Sequence, residues 1–197
     1  MEISADIVKK LRDKTNAGMM DCKKALQEAG GDLEKATDLL RKRGLAIAAK
    51  KSSRATKEGV IAAYIHSNNK VGVLVEVCCE SDFVAKNAAF QAFVKDLTLQ
   101  IASAVPRYVS REQVPEEVLE REKAIYREQV TGKPAAIVEK IVAGKLEKFY
   151  QEVCLLDQPF VKEDKRTIGD LLKELIAKLG ENIVIRRFVR YQVGEET

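Results

Sequence analysis

Val71, Val73, Val75 and Val77 occupy alternate positions directly after the turn-forming run Ser67-Asn68-Asn69-Lys70. A period of two places these four branched side chains on one face of a strand, where they pack well on the pleated surface. Gly59 to His66 precedes the turn and reads as a strand with two apolar faces, so the two runs predict a β-hairpin. Beyond it the spacing becomes helical. Phe90, Phe93, Val94, Leu97 and Ile101 form a helix stripe that ends before Pro106.

The first third of the chain is helical as well. Ile7 and Leu11 are four apart; Cys22, Ala25, Leu26 and Ala29, then Leu33, Ala36, Leu39 and Leu40, repeat the spacing of one helix face. Asn16-Ala17-Gly18 and Gly30-Gly31 separate the three helices, Asp32 supplies an N-cap, and Gly44 is expected to stop the third. Three helices in about 45 residues make a small bundle near the lower size limit for independent folding. From Arg41 to Lys57 there are seven positive side chains and no acid, and Ser52-Ser53 weakens the helix signal there. The expected division is a bundle over 1–50, a linker over 51–58 and a core over 59–197. Charge follows this division: residues 1–58 carry 14 basic and 9 acidic side chains, a net +5, while the remainder is near neutral.

Within the core, residues 116–130 and 135–153 are two amphipathic stretches separated by Thr131-Gly132-Lys133-Pro134. So short a break predicts an antiparallel helical-hairpin arm over about 116–153, with Val138, Val142, Leu146, Phe149 and Val153 as its seam. A helix over about 167–179 ends at Gly180, and Ile183 to Val193 reads as a last strand. The fold class is therefore α+β: a helical bundle followed by an antiparallel-sheet core with packed helices.

Several chemistries have little to build on. His66 is the only histidine, which disfavours a histidine-based hydrolase or a multi-histidine metal site. Neither GxxxxGK[ST] nor GxGxxG occurs. The longest stretch free of charged residues, Gly59–Asn69, is too short to span a bilayer, and Met1-Glu2-Ile3-Ser4 does not open a secretory signal. Cys22, Cys78, Cys79 and Cys154 lack CxxC spacing and read as reduced, mostly buried thiols of a cytoplasmic protein. Cys78 and Cys79 would point to opposite strand faces, a poor geometry for one metal or one bridge.

Two segments are more specific. In Leu11-Arg12-Asp13-Lys14-Thr15-Asn16-Ala17-Gly18-Met19-Met20-Asp21-Cys22-Lys23-Lys24-Ala25-Leu26, two methionines open a helix beside a glycine. They either fill the core of the bundle or offer adaptable apolar surface to a partner helix. In Glu76-Val77-Cys78-Cys79-Glu80-Ser81-Asp82-Phe83-Val84-Ala85-Lys86, a strand ends in an acid and a bulky aromatic just before a helix. Read from the residues alone, Ser81-Asp82 caps a turn and Phe83 packs inward. The alternative is a projecting loop that presents Asp82 as a carboxylate and Phe83 as an apolar wedge.

Together these segments resemble the bacterial elongation factor Ts family, the guanine-nucleotide exchange factors of elongation factor Tu. The first is similar to the family's N-terminal signature, the second to its core signature around T-D-F-V. Gly132-Lys133-Pro134, Gln158-Pro159-Phe160-Val161 and Gly180-Glu181-Asn182-Ile183 with Arg186-Arg187 recur in the same order. Two positions depart from the pattern: Asn16 stands where the family usually has Gly, and Ser81 where it usually has Thr. Asn tolerates left-handed geometry, and Ser keeps the hydroxyl.

The resemblance implies a UBA-like N-terminal bundle, a coiled-coil arm and a core that dimerises. It implies that Arg12, Met19 and Met20 dock on a helix of the partner's G domain. Ser81, Asp82, Phe83 and Val84 would enter near the partner's Mg²⁺ and phosphate site, with Leu179 and Gly180 as further contacts. Longer members carry two copies of the core and this chain one, so a homodimer would supply the second copy, with His66 acting from the other subunit in a 2:2 complex. No cofactor, catalytic group, nucleic acid or membrane is expected.

Three other readings compete. Arg41–Lys57 and the run Arg186, Arg187, Phe188, Arg190, Tyr191 are compatible with RNA binding, although a net charge of +4 over 197 residues is modest. An enzyme using carboxylates and a general helical adaptor are the others.

Overall fold

The structure is a computed structural model that describes residues 3–15, 17–130 and 134–195. Met1 and Glu2, the Asn16 turn position and Thr131-Gly132-Lys133, on which the sequence reading placed breaks or motifs, lie outside the described residues. The chain forms two compact units. One comprises Met1–Val60, Cys78–Gln91 and Leu171–Val184; the other comprises Ile61–Val77, Ala92–Asp170 and Ile185–Thr197.

The first unit begins with a helical bundle of α1 (Ala5–Thr15), α2 (Met19–Glu28) and α3 (Leu33–Lys51). Leu11, Cys22, Ala25, Leu26 and Ala36 are fully buried in its centre, with Ile7, Ala29, Leu33, Leu39 and Leu40 packed around them. These are the stripes the spacing marks. The α2–α3 turn needs two left-handed residues, and Gly30 (φ 63°) and Gly31 (φ 88°) supply them without a Cβ penalty. Asp32 then caps α3, its carboxylate accepting from the Glu34 and Lys35 amides at 2.9 and 3.1 Å.

Gly44 does not stop α3, contrary to the sequence reading. The residues that follow, Leu45-Ala46-Ile47-Ala48-Ala49, are mostly strong helix formers and carry the helix on to Lys51. It ends instead at Ser52, whose amide donates to the Ala48 carbonyl at 3.0 Å and whose hydroxyl donates to the Ala49 carbonyl at 2.9 Å. The unit also holds the short α4 (Asp82–Ala85) and most of α8 (Ile168–Leu179). A Cβ built on Gly44 would touch the Ala177 Cβ of α8 at 3.5 Å, ordinary van der Waals contact.

The second unit holds most of a three-stranded sheet with strand order β1 (Glu58–Ile65), β2 (Val71–Cys79), β5 (Ile183–Gln192). The β1–β2 turn closes as expected. The His66 amide donates to the Val71 carbonyl at 2.9 Å, and Asn69 takes φ 56°, which Asn tolerates. Val73, Val75 and Val77 are buried, while Ile61, Ile65 and Leu74 are exposed. At the end of β2 both Cys78 and Cys79 are buried, so both strand faces are covered there. The stripe of α5 (Ala88–Ala104) is buried throughout.

Helices α6 (Glu116–Glu128) and α7 (Ala135–Val153) pack on each other. Arg127 and Glu139 pair at 2.9 Å, and Lys145 lies 5.3 Å from the centre of the Tyr126 ring. Val114, Phe149, Val153 and Cys154 make a small core at one end. There the Arg111 guanidinium meets Glu147 at 2.8 Å and Asp157 at 2.6 Å and stacks on Tyr150 at 4.5 Å. A two-stranded antiparallel pair, β3 (Pro159–Phe160) and β4 (Glu163–Thr167), has no counterpart in the sequence reading. One strand is two residues long and the other is entirely polar, so no apolar alternation announces them. Buried amides hold the segment: Gln100 donates to the Pro159 carbonyl at 3.2 Å and accepts from the Val161 amide at 2.9 Å.

Candidate functional site

β2 ends at Cys79, and the chain turns at Glu80-Ser81 into α4, which is a single helical turn. A one-turn helix has too few internal bonds to hold itself, because nucleation fixes several residues for one bond. Its geometry therefore depends on caps and anchors. Ser81 is the N-cap, accepting from the Val84 amide at 3.4 Å, and its carbonyl accepts from the Ala85 amide at 3.2 Å. Val84 and Ala85 are buried and root the turn. The Cys79 thiol donates to the Ser81 carbonyl at 3.1 Å from below. Burial pushes that thiol up to about 11, with Glu181 adding to the effect, so it stays protonated near neutrality.

Phe83 is the outlier. It is 83% exposed on this anchored turn, so it does not pack inward as the residues alone favoured. The reason is that Val84 and Ala85 take the buried positions of α4, leaving position 83 outward. Asp82 beside it is exposed but paired, accepting from the Lys86 ammonium at 2.8 Å. That hydrogen bond and the Lys86 charge hold its carboxyl below the usual carboxylate range. A partner group that binds Asp82 must displace or share Lys86.

The turn is fastened from a distance in sequence. Glu181 receives the Ser81 amide on Oε2 at 2.9 Å and the Ser81 hydroxyl on Oε1 at 2.6 Å. One residue further, the Asn182 amide donates to Glu80 Oε1 at 2.6 Å. Asn182 Nδ2 also donates to the carbonyls of Arg54 at 2.8 Å and Ser52 at 3.3 Å. Gly180, with φ 76°, follows the end of α8, and its carbonyl accepts from Lys51 Nζ. The structure thus brings Ser81, Asp82, Phe83, Val84 and Gly180 into one constellation, with half-buried Leu179 closing α8. Glu80, Glu181 and Asn182 carry it and were not among the sequence-derived site residues. The sequence signals for them are the quoted signature segments themselves: Glu80 precedes Ser81 in the Glu76–Lys86 run, and Glu181 and Asn182 follow Gly180 between a helix and a strand.

Met19 and Met20 stand in the first turn of α2, 48% and 63% exposed. They do not fill the bundle core, which Leu11, Cys22 and Leu26 occupy. The N-cap is Gly18, which has no side chain to accept from the turn it precedes. Arg12 is exposed on α1. His66 belongs to the second unit, exposed at the β1–β2 turn, and its Nδ1 shares a hydrogen bond with the Tyr64 hydroxyl at 2.8 Å.

Among the described residues no group of three His, Cys, Asp or Glu could hold a metal ion. Among the same residues no helix is long and apolar enough to cross a membrane. The chain matches the family described as "Elongation factor TS" over residues 1–195. It is similar to the elongation factor Ts of Thermotoga neapolitana, 56% identical over 196 residues that cover 100% of both chains. The elongation factor Ts of Thermodesulfovibrio yellowstonii is 57% identical, covering 99% of this chain and 98% of the relative. That of Moorella thermoacetica is 60% identical, covering 98% and 96%.

Proposed function

The chain belongs to the elongation factor Ts family, and from that premise we propose that it is the guanine-nucleotide exchange factor of elongation factor Tu. As a member of this family it is not an enzyme. In this reading it binds the GDP-loaded partner, disturbs the Mg²⁺ and phosphate site, releases GDP and stabilises the empty state until GTP binds.

The observation that carries the proposal is Phe83, 83% exposed on a turn whose backbone is held from several sides. A large apolar side chain fixed in water has a cost that a partner pocket would recover, about 1.5–3 kcal/mol for full burial. Mg²⁺ demands near-ideal octahedral oxygen geometry, so an inserted wedge need move its surroundings only slightly. Loosening GDP a thousandfold requires about 4 kcal/mol of differential binding, within reach of one docked Phe and several further contacts. Linkage makes the effect reciprocal: GDP must weaken the factor's own binding by the same ratio.

Arg12, Met19 and Met20 would dock the N-terminal module, which we read as a UBA-like bundle over 1–50 joined by a 51–58 linker to a core over 59–197 bearing a coiled-coil arm. The core would self-associate to give a 2:2 complex in the cytoplasm, with His66 serving the partner bound by the other subunit. Supporting this are exposed Ile61 and Ile65 on one face of β1 and exposed Leu74 on β2. A Cβ on Gly72 would lie 3.1 Å from Ile65 Cδ1, which sets these residues side by side on one apolar sheet face.

The test is stopped-flow release of a fluorescent GDP from elongation factor Tu on mixing with the chain and excess unlabelled GDP. Release should accelerate by orders of magnitude and saturate with factor concentration. A rate equal to spontaneous release overturns the reading.

A further inference from the structure

We propose that Glu181 is a positioning residue for exchange: its carboxylate sets the direction of Phe83 by clamping Ser81, without touching the partner's nucleotide site. This rests on the exchange reading above and deepens it.

The clamp has an unusual economy. Glu181 takes both donors of Ser81, the amide at 2.9 Å and the hydroxyl at 2.6 Å, while Glu80 takes the Asn182 amide at 2.6 Å. Each of the two segments thus holds the other through a carboxylate on a backbone N–H. Bonds to an ionised acceptor are short and roughly twice as strong as neutral ones. The set is also closed behind: Arg54 lies 3.5 Å from Glu80, and Asn182 binds the Ser52 and Arg54 carbonyls.

The target of the clamp matters more than its strength. Ser81 immediately precedes the single helical turn that carries Phe83, and it is that turn's cap. Because its hydroxyl proton goes to Glu181, the Ser81 oxygen faces the Val84 amide as an acceptor. One carboxylate thereby fixes both the approach of the backbone and the first turn of α4. Without it Val84 and Ala85 still anchor the turn by burial, and the Ser81 carbonyl keeps the Ala85 amide and the Cys79 thiol. The Ser81 amide and hydroxyl lose their acceptor, however, so the approach to the turn, and Phe83 with it, is held less tightly. A wedge that must move a Mg²⁺ shell by a fraction of an ångström loses force when its own position is averaged over several orientations.

The experiment compares Glu181→Ala, Glu181→Gln, Phe83→Ala and the Glu181→Ala/Phe83→Ala pair in the full chain. Each is measured for limiting GDP-release rate, half-saturating concentration and thermal unfolding midpoint. Glu181→Ala should lower the limiting rate about tenfold, the scale of one charge-assisted hydrogen bond, with half-saturation moved less than about twofold. Glu181→Gln keeps an acceptor for one Ser81 donor and should retain an intermediate rate, which also serves if Glu181→Ala does not fold. The double variant should be no slower than Phe83→Ala alone, because Glu181 acts through Phe83. If Phe83→Ala slows release but folded Glu181→Ala or Glu181→Gln matches the parent, the positioning role is overturned and the exchange reading stands. Additive losses in the double variant also overturn it. If the parent accelerates release but Phe83→Ala changes nothing, the positioning role falls with the wedge; if the parent itself does not accelerate release, the exchange reading fails instead.

Discussion

The start of α2 and the turn at α4 both present large apolar side chains to water, yet they are built in opposite ways. Met19 and Met20 follow a glycine cap and are flexible, unbranched chains on the first turn of a helix. Phe83 is stiff, with two rotatable side-chain bonds, and its turn is held by Ser81, Glu181, Lys86 and two buried neighbours. A loosely capped methionine pair can adapt to whatever helix it meets, which suits adhesion. A fixed aromatic cannot adapt and so must deform what it enters, which suits displacement. In the proposed exchange cycle the first region would set affinity and the second would set rate.

The largest expected effect is that of Phe83→Ala. It should lower the limiting rate of GDP release by about ten- to hundredfold, the range that 1.5–3 kcal/mol of apolar burial covers, with the unfolding midpoint unchanged. Next come Met19→Ala and Met20→Ala. Each should raise the half-saturating concentration by about fivefold, corresponding to about 1 kcal/mol of contact, while the limiting rate holds.

A smaller effect attaches to the Asp82–Lys86 pair. Folded Asp82 is held below its ordinary value of 3.8 by the Lys86 bond. Its favourable contribution is therefore complete above that value and is lost as pH falls through the folded midpoint. NMR titration of the Asp82 carboxyl should place the midpoint below 3.8 in the parent and move it upward in Lys86→Ala. Exposed ion pairs contribute little, so release should change by no more than about threefold. Smallest of all is Gly18→Ser, which gives α2 a capping hydroxyl at a backbone (φ −60°, ψ 145°) that any residue adopts, its Cβ 3.0 Å from Asp21 Oδ2 requiring that exposed side chain to turn outward. It should stabilise the bundle by a few tenths of a kcal/mol in thermal unfolding. A loss of affinity in the same variant would show that looseness at the methionines is itself used.

The same contrast explains what could be read from the residues. The bundle's buried set, the hairpin and the stripe of α5 follow from periodicity, because each is fixed by neighbours within a turn or two of chain. The family signatures around Met19 and Phe83 were visible as well. The outward position of Phe83 was the expectation of the family resemblance and only the alternative on the residues alone, since an isolated aromatic beside a cap residue reads first as a core residue. What fastens its turn is a carboxylate one hundred positions away, at Glu181, and no local pattern connects it to Ser81. Gly44 misled for a related reason: a glycine signals a helix end only when the residues after it cannot continue the helix. The β3–β4 pair escaped because buried glutamine amides, rather than apolar alternation, hold it.

The division between a region that holds and a region that displaces is tested most directly by measuring GDP release across a full range of factor concentrations. Phe83→Ala and Met19→Ala/Met20→Ala should be run beside the parent chain. The Phe83 variant should reach a lower plateau at nearly the parent's half-saturation, and the methionine variant should reach the parent's plateau at a higher half-saturation. Curves in which both variants shift the same parameter would contradict the account.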